Sequence, residues 1–161
     1  MIKSLIPIFL LISFTALACE SYERKDWKHW IDEDRDCQNA RHEVLIEESM
    51  GPVLFKNDEG CSVLSGNWID PYSGLEITDA TTLDIDHLVP LKEAHESGGF
   101  AWDTEKRRSY ANDLVDPNHL IAVSRGLNRQ KGASDPAEWL PPNLEYQFAY
   151  AQAWVGVKLR W

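Results

Sequence analysis

The stretch DIDHLVP, residues 84–90, constrains the fold of this chain more than any other part of the sequence. Its isoleucine and valine are β-branched residues typical of a strand, and its proline predicts that the strand stops there, because proline has no backbone N–H to donate. Asp86 and His87 therefore stand side by side at a strand end. An ideal strand would point them to opposite faces, so they can serve one site only if the strand bends or ends there.

The rest of the chain predicts helices at both ends and a second short strand after a long connection. The expected N-cap of the middle helix is Thr104, and the last helix is expected to pack through Phe148, Ala151 and Val155. This order indicates an α+β fold. The predicted elements are a helix over 36–49, one or two strands over 60–77, a strand over 81–89, and then a helix over 104–114, a strand over 119–123 and helices over 124–132 and 143–161.

The first 18 residues have the pattern of an export signal, with a positively charged start and an apolar run that ends in small residues. The run is too short to cross a bilayer permanently as a helix. We therefore expect a mature chain over 19–161 that forms one domain and is secreted or periplasmic. Cys19 stands at the cleavage point, but Ala16 replaces the leucine usual in lipoprotein signals, which leaves both a lipid anchor on Cys19 and plain secretion after Ala18 open.

Export also decides how the three cysteines are interpreted, because an oxidising compartment favours disulfides over free thiols. Cys37 and Cys61 are the predicted pair, and Cys19 is left over at the cleavage point. Closing this loop would stabilise the fold by about 3 kcal/mol.

The formal net charge of −10 argues against a general attraction to polyanions. Any nucleic-acid role must therefore rest on a local basic patch or on a bound cation. Arg125, Arg129 and Lys131 are the candidates for such a patch.

Residues 116–132, DPNHLIAVSRGLNRQKG, supply the partners that Asp86 and His87 would need. Asn118 lies where the second strand begins, and Asn128 lies inside the short helix. If the two strands form a hairpin that leads into this helix, Asp86, His87 and Asn128 converge. The neighbouring histidine, at position 119, is expected to be buried and hydrogen-bonded.

DIDHLVP, followed by NHLIAV and NRQKG, resembles the HNH, or ββα-metal, endonucleases. The wider chain, over about residues 27–161, is similar to the small exported bacterial members of that superfamily. The resemblance implies a core of a two-stranded hairpin and a short helix, with additional helices at the N- and C-terminal sides. Each short motif alone is weak, but the ordered set at this spacing is specific.

The resemblance also implies a role for each polar residue of these motifs. His87 would be the general base. Asn118 would be the second catalytic residue, which holds the loop between the strands and so orients His87. Asp86 and Asn128 would be the metal ligands, with Asn128 at the position where the final histidine of the motif often stands. Their oxygen atoms suit Mg²⁺ or Mn²⁺, which would keep open positions for substrate and water.

The implied activity is hydrolysis of phosphodiester bonds in DNA, with RNA as the other candidate substrate. A neutral imidazole can take a proton from water near pH 7, and Arg125, Arg129 and Lys131 would bind phosphate. Little sequence preference is expected, because no recognition helix or separate DNA-reading domain is visible. No obligate protein partner is evident, and membrane contact is expected only through a lipid on Cys19.

A non-catalytic alternative is an exported carbohydrate- or envelope-binding module. The chain has seven tryptophans, and Trp68, Tyr72 and Trp102 would form an exposed aromatic platform. Such a module would show saturable binding without consuming its ligand.

Overall fold

The computed structural model describes residues 20–161, so the predicted export signal and Cys19 lie outside the described residues. The α+β class is confirmed. Short 3₁₀ helices cover Arg24–Asp26, Ala80–Thr82 and Gly99–Ala101. The other elements are α1 Ala40–Glu47, β1 Leu54–Phe55, β2 Val63–Ile69, β3 Glu76–Asp79, β4 Leu83–His87, α2 Leu91–Glu96, α3 Thr104–Ala111, β5 Leu120–Ser124, α4 Arg125–Lys131 and α5 Gln147–Arg160.

The strands form two antiparallel sheets. β1, β2 and β3 make a three-stranded sheet, and β4 pairs with β5 in a separate two-stranded sheet. In the second sheet Leu83 pairs with Ser124 and His87 pairs with Leu120, so the long connection holding α2 and α3 leaves and returns at the His87 end. Because α4 begins directly after β5, the chain has the predicted order of strand, strand and short helix.

The two-stranded sheet is buried on both faces. Along β5, Leu120 and Ala122 pack into a cluster with α1 and β2, whereas Ile121 and Val123 pack into a second cluster with α2, α3 and α5. Side chains alternate between the faces of a strand, so each cluster receives every second residue. Because both faces of the sheet are packed, the end of β4 is held firmly in place.

Two contacts fix α1 against the sheets. Trp68 of β2 donates its indole N–H to the carbonyl of Leu45 at 2.9 Å. Glu48, directly after α1, accepts a hydrogen bond from the backbone N–H of Ala122 at 2.8 Å. Burial raises the pKa of Glu48 to about 7, because desolvation penalises the charged carboxylate.

The segment ahead of α1 is held by a disulfide and by a side-chain turn. Cys37 and Cys61 form the disulfide that the sequence predicts. Arg35 and Cys37 have positive φ angles of 67° and 76°, which are uncommon for residues other than glycine. Asp32 accepts hydrogen bonds from both of their backbone N–H groups, at 2.7 and 3.1 Å, and so stabilises this backbone conformation.

Two details of the helices differ from the sequence predictions. The N-cap of α3 is Asp103, whose carboxylate accepts from the backbone N–H of Lys106 at 2.8 Å, and Thr104 is the first helical residue. The buried stripe of α5 consists of Tyr150, Trp154 and Val157.

The predicted packing face of α5 is therefore wrong, because Phe148 is 80% exposed and Val155 is 55% exposed. The observed stripe has the same helical spacing and carries two aromatic rings, so it buries more apolar area. Among residues 20–161, none of the helices is both long and apolar enough to span a membrane.

We expect the Glu48→Gln protein to be more stable than wild type at pH 8. The pKa of Glu48 is about 7 in the folded chain, whereas that of an unperturbed glutamate is 4.5. Because the folded pKa is raised, wild type loses stability as the pH rises from 4.5 to 7. Glutamine can still accept from Ala122 but never ionises, so the gain at pH 8 should be on the order of 2 kcal/mol.

Urea unfolding at pH 4.5 and pH 8 checks this expectation. The control is Glu47→Gln, which removes an exposed carboxylate from the same turn and should change the pH dependence little. An equal change in the free energy of unfolding between pH 4.5 and pH 8 for wild type and Glu48→Gln would contradict the prediction.

Candidate active site

Asp86, His87 and Asn128 line one cavity of about 380 Å³ at the end of β4. The strand ends at His87, and α4 packs against β4, so residues 41 positions apart in sequence reach the same space. The sheet therefore brings together the three residues on which the predicted chemistry rests.

His87 is held by the C-terminal end of α3. Its Nε2 lies 2.9 Å from the backbone carbonyl oxygen of Ala111. A carbonyl can only accept, so Nε2 carries the hydrogen and Nδ1 of the neutral ring keeps its lone pair. Burial lowers the pKa of His87 well below its usual value, so the ring is neutral at pH 7. This tautomer leaves Nδ1 free to accept a proton.

A second histidine, His119, donates to the neighbouring backbone carbonyl of α3, that of Tyr110. His119 is fully buried, and its Nε2 lies 2.7 Å from the carbonyl oxygen of Tyr110. The last carbonyls of a helix have no partner inside the helix, and the carbonyls of Tyr110 and Ala111 accept from these two histidines. The rings of His87 and His119 lie 6.3 Å apart between centroids. His119 is thus the buried, hydrogen-bonded histidine that the sequence predicts.

Two further aromatic rings pack against His87. Trp30 lies 5.5 Å away between ring centroids at an interplanar angle of 33°, and His29 lies 6.2 Å away at 82°. Both residues precede the disulfide-bonded Cys37 in the N-terminal segment. The imidazole is therefore fixed by packing as well as by its hydrogen bond.

Asp86 is buried in a ring of donors. Lys131 Nζ lies 2.9 Å from Oδ1 and 2.7 Å from Oδ2, and Tyr72 donates its hydroxyl to Oδ2 at 2.5 Å. Lys131 also donates to the backbone carbonyl of His87 at 3.0 Å. Burial raises the pKa of Asp86, and the Lys131 ammonium opposes that change. Lys131 therefore ties α4 to both residues at the end of β4.

The side chain of Asn128 contacts Asp84, which lies on β4 two residues before Asp86. Its Nδ2 donates to Asp84 Oδ2 at 3.3 Å. Asp84 and Asp86 are two residues apart on one strand face, and Asn128 and Lys131 are three apart on one helix face. Asn128 and Lys131 thus each contact one carboxylate of β4, and among residues 20–161 the amide oxygen of Asn128 accepts no hydrogen bond.

The oxygen donors at the cavity fit a hard divalent cation. An ionised carboxylate has about four lone-pair positions, and Lys131 and Tyr72 leave one of them on Oδ1 of Asp86. This oxygen and the amide oxygen of Asn128 are the donors that suit Mg²⁺, which keeps several waters.

The predicted phosphate-binding edge needs correction. Lys131 is fully buried on Asp86, so its ammonium cannot reach a phosphate at the surface. Arg125 pairs with Asp84 at 3.5 Å and donates to the Thr81 carbonyl, so it is tied to the start of β4. Of the three predicted cations, Arg129 is the one that lines the cavity.

Two cations at the cavity were not predicted from the sequence. Arg24 and Lys92 are exposed and line the cavity together with Arg129. Lys92 follows the strand-ending proline closely, which could have indicated its position. Arg24 lies more than 60 residues before His87, and no local pattern connects the two.

Asn118 lies in the connection between the two strands, in the turn before β5, and among residues 20–161 its side chain makes no hydrogen bond to His87. Its side chain is exposed, and both its backbone N–H and its Nδ2 donate to Asp116 Oδ1, at 3.0 and 3.2 Å. Aspartate side chains often hold such turns by bonding to the backbone two residues later. Asn118 therefore shapes the turn before β5, and the carbonyl of Ala111 orients His87.

The aromatic platform of the alternative function is absent from residues 20–161. Trp68 is 1% exposed and Tyr72 is 0% exposed. Trp102 is half-buried and packs against Trp27 and Tyr110. These rings stabilise the core, so they offer no flat surface to a sugar.

Residues 39–161 match the family described as GmrSD restriction endonucleases, C-terminal domain. The chain belongs to this family. Asp86, His87 and Asn128 all lie within the matched residues. The family is one of restriction endonuclease domains, which relates the chain to nucleases.

A relative from Arthroderma benhamiae, described as an uncharacterized secreted protein, is 40% identical over 139 residues. The alignment covers 86% of this chain and 66% of the relative, so this chain spans slightly less than two thirds of the relative's length. No solved structure matches the chain.

We expect Lys131→Met to destabilise the protein by about 3–5 kcal/mol, because it leaves the Asp86 carboxylate buried without its cation. The double variant Asp86→Asn/Lys131→Met should recover part of this loss, since the remaining amide carries no charge. Urea unfolding of the two single variants and the double variant at pH 7 measures the coupling.

Lys92→Met is the matched control, because Lys92 lines the same cavity but is exposed. It should cost less than about 0.5 kcal/mol. If the effects of Asp86→Asn and Lys131→Met on the free energy of unfolding are additive, the ion pair does not stabilise the fold in the way proposed.

Proposed function

We propose that the protein is an exported, metal-dependent endonuclease of the HNH type. Its substrate is DNA, with RNA as the other candidate, and it cuts with little sequence preference. The observation that carries this proposal is the single cavity lined by Asp86, His87 and Asn128. Membership of a restriction endonuclease family supports the nuclease activity.

His87 acts as the general base at Nδ1. The Ala111 carbonyl keeps the hydrogen on Nε2, so a water molecule in the cavity meets the lone pair of Nδ1. The water oxygen forms a bond to phosphorus, its proton passes to Nδ1, and the bond from phosphorus to the 3′ oxygen breaks. The products are a 5′ phosphate and a 3′ hydroxyl. The negative C-terminal end of α3 stabilises the imidazolium that forms.

Asp86 and Asn128 would hold Mg²⁺ or Mn²⁺ through oxygen atoms, and the ion would neutralise charge at the phosphate and at the leaving oxygen. Lys131 and Tyr72 fix the Asp86 carboxylate and leave one lone-pair position of Oδ1 for such an ion. Asn118 contributes only by shaping the turn that precedes β5.

The substrate phosphates bind at the cations on the cavity rim. Arg24, Lys92 and Arg129 give a local positive edge in a chain of formal net charge −10. Contacts to phosphate carry no sequence information, which agrees with cutting at many sequences.

Export fits the N-terminal sequence and the disulfide. The mature chain, over 19–161, is inferred to be one nuclease domain released after residues 1–18 are removed. The description of the Arthroderma benhamiae relative as secreted supports this inference. A lipid on Cys19 remains a prediction, which the mass of the exported chain would check.

We expect the purified chain over 20–161 to nick supercoiled plasmid in the presence of Mg²⁺ or Mn²⁺. EDTA should abolish this nicking. The His87→Ala protein should be slower by at least about 100-fold, because a positioned general base contributes a factor of this size or more. Plasmid and single-stranded RNA that both stay intact with wild type and either metal would contradict the proposal.

The two asparagines of the motif provide a matched pair. Asn128→Ala should reduce nicking at least about 100-fold and raise the metal concentration needed for half-maximal rate, because it removes a proposed ligand. Asn118→Ala should stay within about threefold of wild type, because this residue is exposed and outside the cavity. Loss of activity in Asn118→Ala with normal Asn128→Ala would reverse the assignment.

A further inference from the structure

A second cavity, of about 540 Å³, lies between α1 and residues 113–117 and shares no lining residue with the candidate active site. We call it the acidic groove. Leu120 contributes to its floor, so the groove borders the face of β5 on which α1 packs. Its volume is in the range of ordinary ligand pockets.

The acidic groove combines apolar side chains with carboxylates. Leu114 is 44% exposed and Val115 is 81% exposed, and both line the groove. Five carboxylates and no cationic side chain are among the described residues that line it. Neighbouring exposed apolar side chains with a polar rim are typical of an interaction site.

Part of this negative charge has no partner within residues 20–161. Asp113 is satisfied, because it pairs with Arg160 at 3.0 Å. Glu43 and Glu47 make no ion pair and no side-chain hydrogen bond among the described residues, and both line the groove. Burial raises the pKa of Glu43, and Asp34, with two neighbouring aspartates, raises it further.

We propose that the acidic groove binds a cationic polypeptide segment that carries lysine or arginine beside an apolar anchor side chain. The exposed side chains of Leu114 and Val115 contact the anchor, and Glu43 and Glu47 pair with the cations. Charge complementarity of this kind gives specificity and increases the association rate.

The same charge excludes the other macromolecules that a nuclease meets. Nucleic acid and anionic lipid surfaces are repelled by five neighbouring carboxylates. The protein thus has a cationic rim at the candidate active site and a separate acidic groove. A partner can dock in the groove while the cavity at His87 stays open to substrate.

Fluorescence anisotropy with a labelled synthetic peptide tests the proposal. The probe contains three lysines alternating with two leucines, and a matched probe has serine in place of both leucines. The chain over 20–161 is titrated as wild type, as Glu43→Gln/Glu47→Gln and as Leu114→Ser/Val115→Ser. Urea unfolding of each protein confirms that the variants are folded, independently of any nuclease activity.

We expect saturable binding of the leucine probe to wild type and a dissociation constant at least about tenfold higher for each double variant. The serine probe should bind at least about tenfold more weakly than the leucine probe. Binding should also weaken in about 0.5 M salt, because exposed charge pairs are screened.

Equal binding of the leucine probe to wild type and to both folded variants would overturn the proposal. So would the lack of saturable binding to wild type up to about 1 mM probe.

Discussion

The candidate site depends on one buried ion pair, between Lys131 and Asp86. Removing two charges from water costs several kcal/mol for each ion, and the cost is offset only when the remaining donors and lone pairs are satisfied. Here the ammonium contacts both oxygens of Asp86 and the His87 carbonyl, and the Tyr72 hydroxyl donates to Oδ2 of the carboxylate. The pair joins α4 to the end of β4, and so it sets the distance between Asn128 and the Asp86–His87 pair.

The proposed general base, His87, is oriented in a different way, by a backbone carbonyl at the end of α3. A helix leaves its last carbonyls without internal partners, and two of these accept from His87 and His119. A backbone acceptor selects one tautomer and does not titrate. The orientation of His87 therefore depends on where α3 ends, and the long connection between β4 and β5 acts as part of the site.

Charge is distributed unevenly over the molecule. The cavity at His87 has Arg24, Lys92 and Arg129 at its rim, whereas the acidic groove has five carboxylates. The net charge of −10 is thus compatible with the proposed nuclease, because a phosphate group would meet a local positive edge at the cavity. The carboxylates of the acidic groove favour contact with cationic partners and disfavour contact with nucleic acid there.

The sequence by itself determined the features that depend on neighbouring residues. Asp86 and His87 at a strand end, the short helix after the second strand and the Cys37–Cys61 pair all follow from local patterns and from counting cysteines. Tertiary structure alone decided that Lys131 points inward, that Arg24 reaches the cavity, that the Ala111 carbonyl accepts from His87, and that α5 packs through Tyr150, Trp154 and Val157. Each of these depends on a contact between segments far apart in the chain, where burial and hydrogen-bond satisfaction decide between orientations that the local sequence allows equally well.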